Sequence, residues 1–367
     1  MKYFLIAGER SGDQHAARLI AEIKAIDPDA RLIGIGGDAM RDEGMQLLIH
    51  YQSMSYMGIV EVLKHLPDVL HNLRQTKKLL TAHRPDVLIL VDFAAFNLKI
   101  AKYAKRLDLK VAYYIAPKVW AWNERRVKKI RRYVHRLLCI LPFEEDYFRA
   151  RGCKALYVGN PVVDQVDTYT PTALDSLPQG RRVIAFLPGS RSHEVQRSIK
   201  VIRELAHLRP DWVVLVAGVG NLPAAAYQGM ANLANVQLHF DRTYDLLRSS
   251  HAAVVTSGTA TLETSLLRVP QVVAYRTSAL TYALGRRLIK VPYISLVNLI
   301  AGTEVVREIL QEDYTADRIL LELERLTSPG PDKDQMLQGY SKVRRTLGGK
   351  RAAKTSALEI VALGKET

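Results

Sequence analysis

The sequence predicts an α/β protein with two doubly wound, parallel-sheet domains in tandem. Apolar, β-branched runs that suit buried strands alternate with amphipathic stretches along the 367 residues, as expected when helices cover both faces of a parallel sheet. The alternation occurs in two successive series, separated by a polar segment. A chain of this length also suits two domains of ordinary size better than a single core.

The predicted elements follow the two series in order. The first series contains the strands KYFLIAG, ARLIGIGG, DVLILVD and KVAYYIAP. Residues 162–182 are polar, contain prolines and show no clear period, so they are the candidate linker. The second series contains the strands VIAFLPGS, DWVVLVAGV, VQLHF, HAAVVTSG and QVVAYR. We expect domains at 1–165 and 166–340, with helical residues 340–367 capping the second domain or returning to the first.

Charge and cysteine content restrict the cellular setting. The formal net charge of +15 predicts attraction to phosphate, on nucleic acid, on nucleotide substrates or on anionic lipid. Cys139 and Cys153 form no CxxC pair, and we expect reduced thiols of a cytosolic protein. No apolar run approaches the ~18 residues of a membrane helix, and the N-terminal run is shorter than a signal-peptide core. We therefore expect the protein to stay inside the cell.

Polar and acidic residues follow the predicted strands of the first series. The first loop supplies Gly8, Glu9, Ser11, Gly12 and Asp13. Asp92 ends a fully apolar strand, where burial would raise its pKa and suit it to act as a base. Ligands of doubly wound sheets bind at these strand ends, and acids that converge there favour proton abstraction from a hydroxyl. Helix capping is the alternative for Asp13 and Asp92.

The loops of the second series contain small residues at predicted helix starts. They supply Gly189, Ser190 and Arg191, and then Ser257, Gly258, Thr259 and Glu263. Free backbone N–H groups and an arginine would bind phosphate, and Glu263 would accept hydrogen bonds from ribose hydroxyls. Together the two loops indicate a nucleoside diphosphate, although each alone would suit an N-cap turn.

Cofactor motifs are weak in this sequence. GIGGDA matches the dinucleotide fingerprint, but it follows the second strand instead of opening the domain, and no Walker A lysine motif occurs. The D-x-D patterns at 27–29 and 332–334 fall in connecting turns, so we expect no divalent metal. Helix dipoles and Arg191 would stabilise a departing diphosphate instead. We expect neither a cofactor nor a metal.

The segment VWAWNERRVKKIRRYVHRLL combines helical apolar spacing at Val127, Ile130, Val134 and Leu137 with many basic side chains. This segment has three interpretations: a solvated face of a core helix, a nucleic-acid binder, or a helix that lies on an anionic bilayer. We favour the bilayer and expect no nucleic-acid partner. An apolar stretch at 56–80 is a candidate for holding acyl chains, and YALGRRLIK adds basic charge to the other half. The predicted membrane-interface residues are Trp120, Trp122, Arg125, Arg126, Lys128, Lys129 and Arg132.

Taken together, the motifs resemble those of lipid-A-disaccharide synthases. The motifs occur in that family's order from Gly8 to about Gln311: GERSGD, GIGGDAM, MGIVEVL, DFAAFN, VWAWNERRVKKI, LPFE, LPGSR, SGTATLE and YISLVNLIAG. The resemblance implies a GT-B fold, with two Rossmann-like domains facing across a cleft. It also implies an inverting, metal-independent transfer from UDP-2,3-diacylglucosamine to 2,3-diacylglucosamine 1-phosphate through a β-1,6 linkage.

The resemblance also assigns roles to residues. It implies that Asp92 or Glu9 is the base, that the first loop and Asn97 bind the acceptor, and that Asn298 joins the donor loops. Ala95 and Val297 depart from the family, which usually has an acid and a proline there. A peripheral position on the inner face of the cytoplasmic membrane is expected.

Alternatives from other classes remain. Another GT-B enzyme, such as the muramyl-lipid N-acetylglucosaminyltransferase or a UDP-sugar epimerase, would share the donor half and differ in the acceptor loops. A non-enzymatic nucleic-acid binder would explain the charge but not the two donor loops.

Overall fold

The computed structural model describes residues 1–54, 66–174, 177–178, 180–230, 233–278, 282 and 291–366. It divides into two compact units, one formed by Met1–Pro161 with Gly349–Thr367 and the other by Val162–Gly348. The motif MGIVEVL, much of the candidate acyl-chain stretch and nearly all of YALGRRLIK lie outside the described residues.

The first unit is built on a parallel sheet. Its described strands are β1 (Lys2–Ala7), β2 (Arg31–Gly36), β3 (Gln46–His50), β4 (Val87–Val91), β5 (Lys110–Tyr114), β6 (Arg136–Cys139) and β7 (Ala155–Tyr157). The strand order is β3-β2-β1-β4-β5-β6-β7, with Leu5 of β1 between Gly34 and Ile89. The strand order reverses between β1 and β4, so their carboxyl ends form the switch point where doubly wound sheets bind ligands.

The second unit repeats the doubly wound plan. Its described strands are β8 (Arg182–Leu187), β9 (Trp212–Gly218), β10 (Val236–Phe240), β11 (Ala252–Val255), β12 (Gln271–Tyr275) and β13 (Glu308–Leu310). They are parallel in the order β10-β9-β8-β11-β12-β13, so β8 and β11 flank the reversal of this sheet. The predicted donor loops follow these two central strands.

Helices connect the strands in both units. In the described part of the chain they are α1 (Arg10–Ile26), α2 (Asp38–Asp42), α3 (Leu66–His83), α4 (Ala94–Ala104), α5 (Val119–Trp122), α6 (Val127–Tyr133), α7 (Pro142–Arg149), α8 (Pro161–Asp167), α9 (Ser192–Leu208), α10 (Thr243–Arg248), α11 (Thr259–Leu266), α12 (Leu296–Ala301), α13 (Ala316–Thr327), α14 (Pro331–Leu347) and α15 (Ala352–Lys365). Helix α15 packs on α1, and its Ala357 and Ile360 lie in the first unit's apolar core. Helix α14 stays with the second unit.

Two predictions of local structure are wrong. The candidate linker begins as helix α8, which has Pro161 at its first position, where the missing N–H costs nothing. The helical pattern expected to run from Val127 to Leu137 stops at Tyr133. The reason is that the His135 N–H donates to the Val111 carbonyl at 2.8 Å, which starts the pairing of β6 with β5.

We predict that Gly159→Ala destabilises the first unit by about 3 kcal/mol, combining backbone strain with a clash. Gly159 has φ +104°, and a Cβ there would lie 2.2 Å from the Lys350 carbonyl oxygen. Gly180→Ala is the matched control. Gly180 has φ +74°, but no atom of the described residues lies within 4 Å of its Cβ position, so only about 1 kcal/mol should be lost. Thermal unfolding measures both variants. Equal losses would contradict the proposed contact.

Candidate active site

The loop after β1 lies directly against the loop after β4. A Cβ on Gly8 would lie 2.3 Å from Cδ1 of Phe93, so only glycine allows this approach. Glu9 occupies the N-cap position of α1, but its side chain makes no capping hydrogen bond there. Its Oε1 accepts a hydrogen bond from Ser11 Oγ at 2.9 Å. The partly exposed Glu9 carboxylate is therefore placed at the strand ends without being needed to start the helix.

Asp13 has a structural role instead of the predicted acceptor contact. Its side chain is only 4% exposed. Its Oδ1 accepts from the N–H groups of Gly37 at 2.7 Å and Met40 at 3.2 Å, and its Oδ2 accepts from Ala39 at 3.1 Å. Asp13 therefore caps α2, not its own helix. The third glycine of GIGG is needed here, because a Cβ on Gly37 would lie 2.7 Å from Asp13 Oδ2. The neighbouring Gly12 is likewise buried.

Asp92 is the perturbed acid of this loop. It follows the last residue of β4, and both Asp92 and Phe93 have left-handed backbone, with φ 44° and 48°. Burial, followed by the nearby Glu9 charge, raises the pKa of Asp92 to about 6, against the opposing effect of Lys118. The carboxylate is still partly exposed. A carboxylate of this pKa is ionised at neutral pH and more basic than an ordinary aspartate, as a general base requires.

Asn97 also has a structural role. It lies in α4 and is fully buried. Its Nδ2 donates to the carbonyl oxygen of Asp92 at 2.8 Å and to that of Val91 at 3.2 Å. Asn97 therefore fixes the backbone at the carboxyl end of β4 from the buried side.

In the second unit, the loop after β8 is closed by its own glutamate. Glu194 Oε2 accepts from the N–H groups of Ser190 at 3.2 Å and Arg191 at 3.3 Å. A Cβ on Gly189, where φ is +104°, would lie 2.3 Å from the same oxygen. The expectation of free N–H groups at this turn is therefore wrong. The group this loop presents to an anion is the Arg191 guanidinium, whose side chain is 57% exposed.

The loop after β11 matches the predicted helix-start site more closely. Gly258 is the N-cap of α11 with φ 80°, and within the described residues nothing lies within 4 Å of its Cβ position. Ser257 is partly exposed and Thr259 is exposed. Glu263 lies one turn along α11 from Thr259, on the same face. Its Oε1 accepts a hydrogen bond from Tyr244 Oη at 3.1 Å. Burial raises the pKa of Glu263, although this hydrogen bond acts in the opposite direction.

Asn298 makes hydrogen bonds within its own unit. It is fully buried in α12. Its Nδ2 donates to the Val306 carbonyl at 2.9 Å and to Glu308 Oε1 at 3.0 Å, and its Oδ1 accepts from the N–H groups of Val305 and Val306. Every polar atom of this side chain is used to close the loop after α12, so Asn298 has a structural role, and its donor contact stays a prediction.

The predicted membrane-interface residues divide into buried and exposed sets. Trp120 is buried, and its Nε1 donates to Glu144 Oε1 at 3.0 Å, so it is not an interface residue. Trp122 is 48% exposed, with the Arg126 guanidinium 4.8 Å from its ring centroid. Val127 and Ile130 are buried in the protein and unavailable to lipid. The exposed basic side chains of this segment are Arg125, Lys128, Lys129, Arg131 and Arg132.

Several residues that shape these loops were missed by the sequence analysis. Glu194 stands three positions after Arg191, which is the spacing of a capping box and a usable signal. Glu144 is fully buried in LPFE, and burial raises its pKa to about 7 despite bonds from Trp120 and backbone N–H groups. The role of Tyr113 cannot be predicted from its neighbours in the sequence, because it is one of several aromatic residues in an apolar strand.

Within the described ranges, no group of three or more His, Cys, Asp and Glu side chains is arranged to hold a metal ion. Nor does any helix described here combine the length and apolarity needed to cross a membrane.

Two doubly wound units, each with polar loops at the carboxyl ends of its central strands, define a protein of the GT-B class. Solved structures support this fold. A UDP-GlcNAc 2-epimerase from Neisseria meningitidis, solved with UDP-GlcNAc bound, aligns over 100% of both chains with TM-score 0.66 and 14% identity. The calicheamicin glycosyltransferase CalG4 aligns over 99% of this chain and 98% of its own, with TM-score 0.64 and 15% identity.

Sequence comparisons identify the family. The protein-family model described as Lipid-A-disaccharide synthetase matches residues 3–361. The lipid-A-disaccharide synthase of Myxococcus xanthus is 41% identical over 99% of this chain and 97% of its own. The lipid-A-disaccharide synthase of Geobacter metallireducens is 36% identical over 100% of this chain and 98% of its own. The chain belongs to the lipid-A-disaccharide synthase family and is a glycosyltransferase.

We predict that Asp13→Ala destabilises the protein by about 3 kcal/mol, because three N–H groups of α2 lose their acceptor. The KM for the acceptor should change by less than about twofold in the folded enzyme. Asp38→Ala is the control, since it removes surface charge contacts alone, with Arg41 at 2.8 Å and with His50 Nε2 at 3.7 Å, which are worth about 1 kcal/mol or less. Thermal unfolding and steady-state kinetics measure both. A large rise in acceptor KM with unchanged stability would restore the acceptor role.

Proposed function

We propose that this enzyme transfers the sugar of UDP-2,3-diacylglucosamine to the 6-hydroxyl of 2,3-diacylglucosamine 1-phosphate, forming a β-1,6 linkage and releasing UDP. Family membership supports these substrates. The single structural observation that carries the chemical step is Asp92, a partly exposed carboxylate of raised pKa at the switch point of the first sheet.

Asp92 is proposed as the general base. It would take the proton of the acceptor's 6-hydroxyl while the oxygen attacks the anomeric carbon from the face opposite UDP, which inverts an α-linked donor. Glu9 is the competing acid. Its carboxylate is bonded to Ser11, and its charge raises the pKa of Asp92. We therefore assign Glu9 to tuning Asp92 and binding sugar hydroxyls, with Gly8 and Ser11 beside it in the acceptor wall.

The second unit is proposed to bind the UDP part of the donor. Arg191 would contact the diphosphate, together with the backbone at the start of α11 at Ser257, Gly258 and Thr259. Glu263, held by Tyr244, would accept hydrogen bonds from the ribose hydroxyls. The guanidinium and the positive end of α11 would stabilise the charge on departing UDP, so the reaction is proposed to proceed without a metal ion.

The first unit is also proposed to bind an anionic membrane, on the inner face of the cytoplasmic membrane where the diacylated substrates would be met. The apolar side of α6 is buried in the protein. Attraction would therefore come from the exposed basic side chains and from Trp122, without insertion of the helix. The enzyme would be cytoplasmic and peripheral.

The test of the whole proposal is an assay with both diacylated substrates and EDTA, following UDP release and the mass of the disaccharide. Disaccharide formation in EDTA would support the reaction, the substrates and metal independence together. UDP binding without disaccharide would keep the donor site and contradict the acceptor. Activity that EDTA abolishes and Mg²⁺ restores would contradict metal independence.

We predict that Asp92→Asn lowers kcat by about 100-fold or more, because a general base contributes about 10²–10⁴. In the unaltered enzyme, kcat should rise with pH through about 6, since only ionised Asp92 accepts a proton. Glu9→Gln should move this limb to lower pH, because the charge that raises the pKa is removed. Kinetics from pH 4.5 to 8.5 measure both variants. Retention of more than about a tenth of the rate by Asp92→Asn would exclude the base role.

We predict that replacing three exposed basic residues of the segment VWAWNERRVKKIRRYVHRLL by serine lowers the affinity for phosphatidylglycerol vesicles, measured by sedimentation, by about 100-fold. Each basic residue near an anionic surface contributes about 1 kcal/mol. The replaced residues are Arg125, Lys128 and Arg132. The control replaces an equal charge on the exposed surface of the second unit. Its residues are Lys200, Arg203 and Arg318. Equal losses from both triple variants would mean that net charge alone drives vesicle binding.

A further inference from the structure

The backbone at the end of β4 is strained at two consecutive positions. Asp92 and Phe93 are both left-handed, with φ 44° and 48°, and neither is glycine. This backbone conformation is unfavourable for a residue with a Cβ and persists only where its surroundings hold it. The strain lies at the residue proposed as the base, so the groups that maintain it bear on the chemistry.

Two buried donors converge on one carbonyl at this point. The Tyr113 hydroxyl, from β5, donates to the main-chain oxygen of Asp92, and Asn97 Nδ2, from α4, donates to the same oxygen at 2.8 Å. Both side chains are 0% exposed. Asn97 Oδ1 is buried and has no hydrogen-bond partner among the described residues. The amide is thus placed for what its nitrogen donates, although its oxygen remains unsatisfied.

We propose that Tyr113 and Asn97 are positioning residues, which fix the Asp92 carboxylate for proton abstraction by holding the main-chain oxygen of Asp92 from the buried side. This inference rests on the proposed base role of Asp92. In this proposal neither residue contacts the substrate, because Tyr113 and Asn97 are both buried. The Asp92 side chain, by contrast, is partly exposed.

The chemistry of Tyr113 suits a permanent donor. Burial, followed by the Asp92 charge, raises the pKa of Tyr113 far above its ordinary value, against opposing effects of Asn97 and Arg126. The phenol therefore stays protonated over the whole working range of pH. The groups that act on the Asp92 carboxylate are Glu9, Lys118 and the Phe93 N–H. If the carbonyl were released, the strained backbone would relax and the carboxylate would move away from this environment.

The test uses Tyr113→Phe, which removes one hydroxyl and keeps the ring. We expect kcat to fall by about 10- to 100-fold, with KM for both substrates within about twofold, as for a misplaced base. The limb of the pH profile near 6 should move to lower pH, because the relaxed carboxylate is better solvated. Asn97→Ala should likewise lower kcat and move the rise of kcat near pH 6 to lower pH.

Matched controls separate positioning from stability. Tyr103→Phe removes another phenol hydrogen bond, to Thr81, and Asn160→Ala removes another buried amide, which donates to the Ile140 carbonyl at 2.9 Å. Both controls should keep kcat and the limb, whatever their effect on thermal unfolding. If Tyr113→Phe lowers thermal stability yet keeps kcat within about twofold and the limb unmoved, positioning is refuted. If Asp92→Asn stays active, the base role fails first, whatever Tyr113→Phe does.

Discussion

The contact between Gly8 and the Phe93 ring is the constraint on which the candidate site of the first unit depends. Strands β1 and β4 are neighbours, and Ala7 is paired with Val91, so the loops after them meet at one edge of the sheet. The ring of Phe93 fits there only because residue 8 has no Cβ. This close approach brings the Glu9 charge near Asp92, and with burial it raises the pKa of Asp92 to about 6.

The buried carboxylates of the first unit differ in function because they differ in hydrogen-bond donors. Asp13 receives three backbone N–H groups, so its charge is satisfied and its position is fixed. Glu144 receives an indole N–H and two backbone N–H groups and anchors Trp120. For Asp92, the groups of the described chain that favour the ionised form are the positively charged Lys118 and the Phe93 N–H. Burial raises the pKa of Glu144 as well, to about 7, but Glu144 is only 1% exposed and is held by its three donors. Asp92 combines a raised pKa with partial exposure, and a base requires both.

The sequence predicted the parts of this arrangement that depend on local pattern. Continuous apolar runs such as Val87–Val91 located the central strands, and glycines with acids at their ends located the loops. Short strands such as Ala155–Tyr157 carry too few residues for a pattern. The role of Asp13 was not predictable, because its partners Gly37, Ala39 and Met40 belong to another βα turn and meet it only in the folded sheet. Likewise, nothing near Tyr113 indicates that its hydroxyl faces the Asp92 carbonyl.

The basic segment of the first unit begins at the same edge of the sheet as the candidate base. It follows β5, the strand beside β4, and its charges reach the site electrostatically: Lys118 acts on Asp92, and Arg126 acts on Tyr113. Further along, the segment turns Val127 and Ile130 into the core and leaves its basic side chains exposed. The surface proposed to attract lipid phosphate is therefore continuous with the loop that holds the proposed base. For an acceptor that carries both acyl chains and a phosphate, attraction to this surface would deliver its sugar hydroxyls to Asp92, which gives the excess positive charge a catalytic purpose as well as a targeting one.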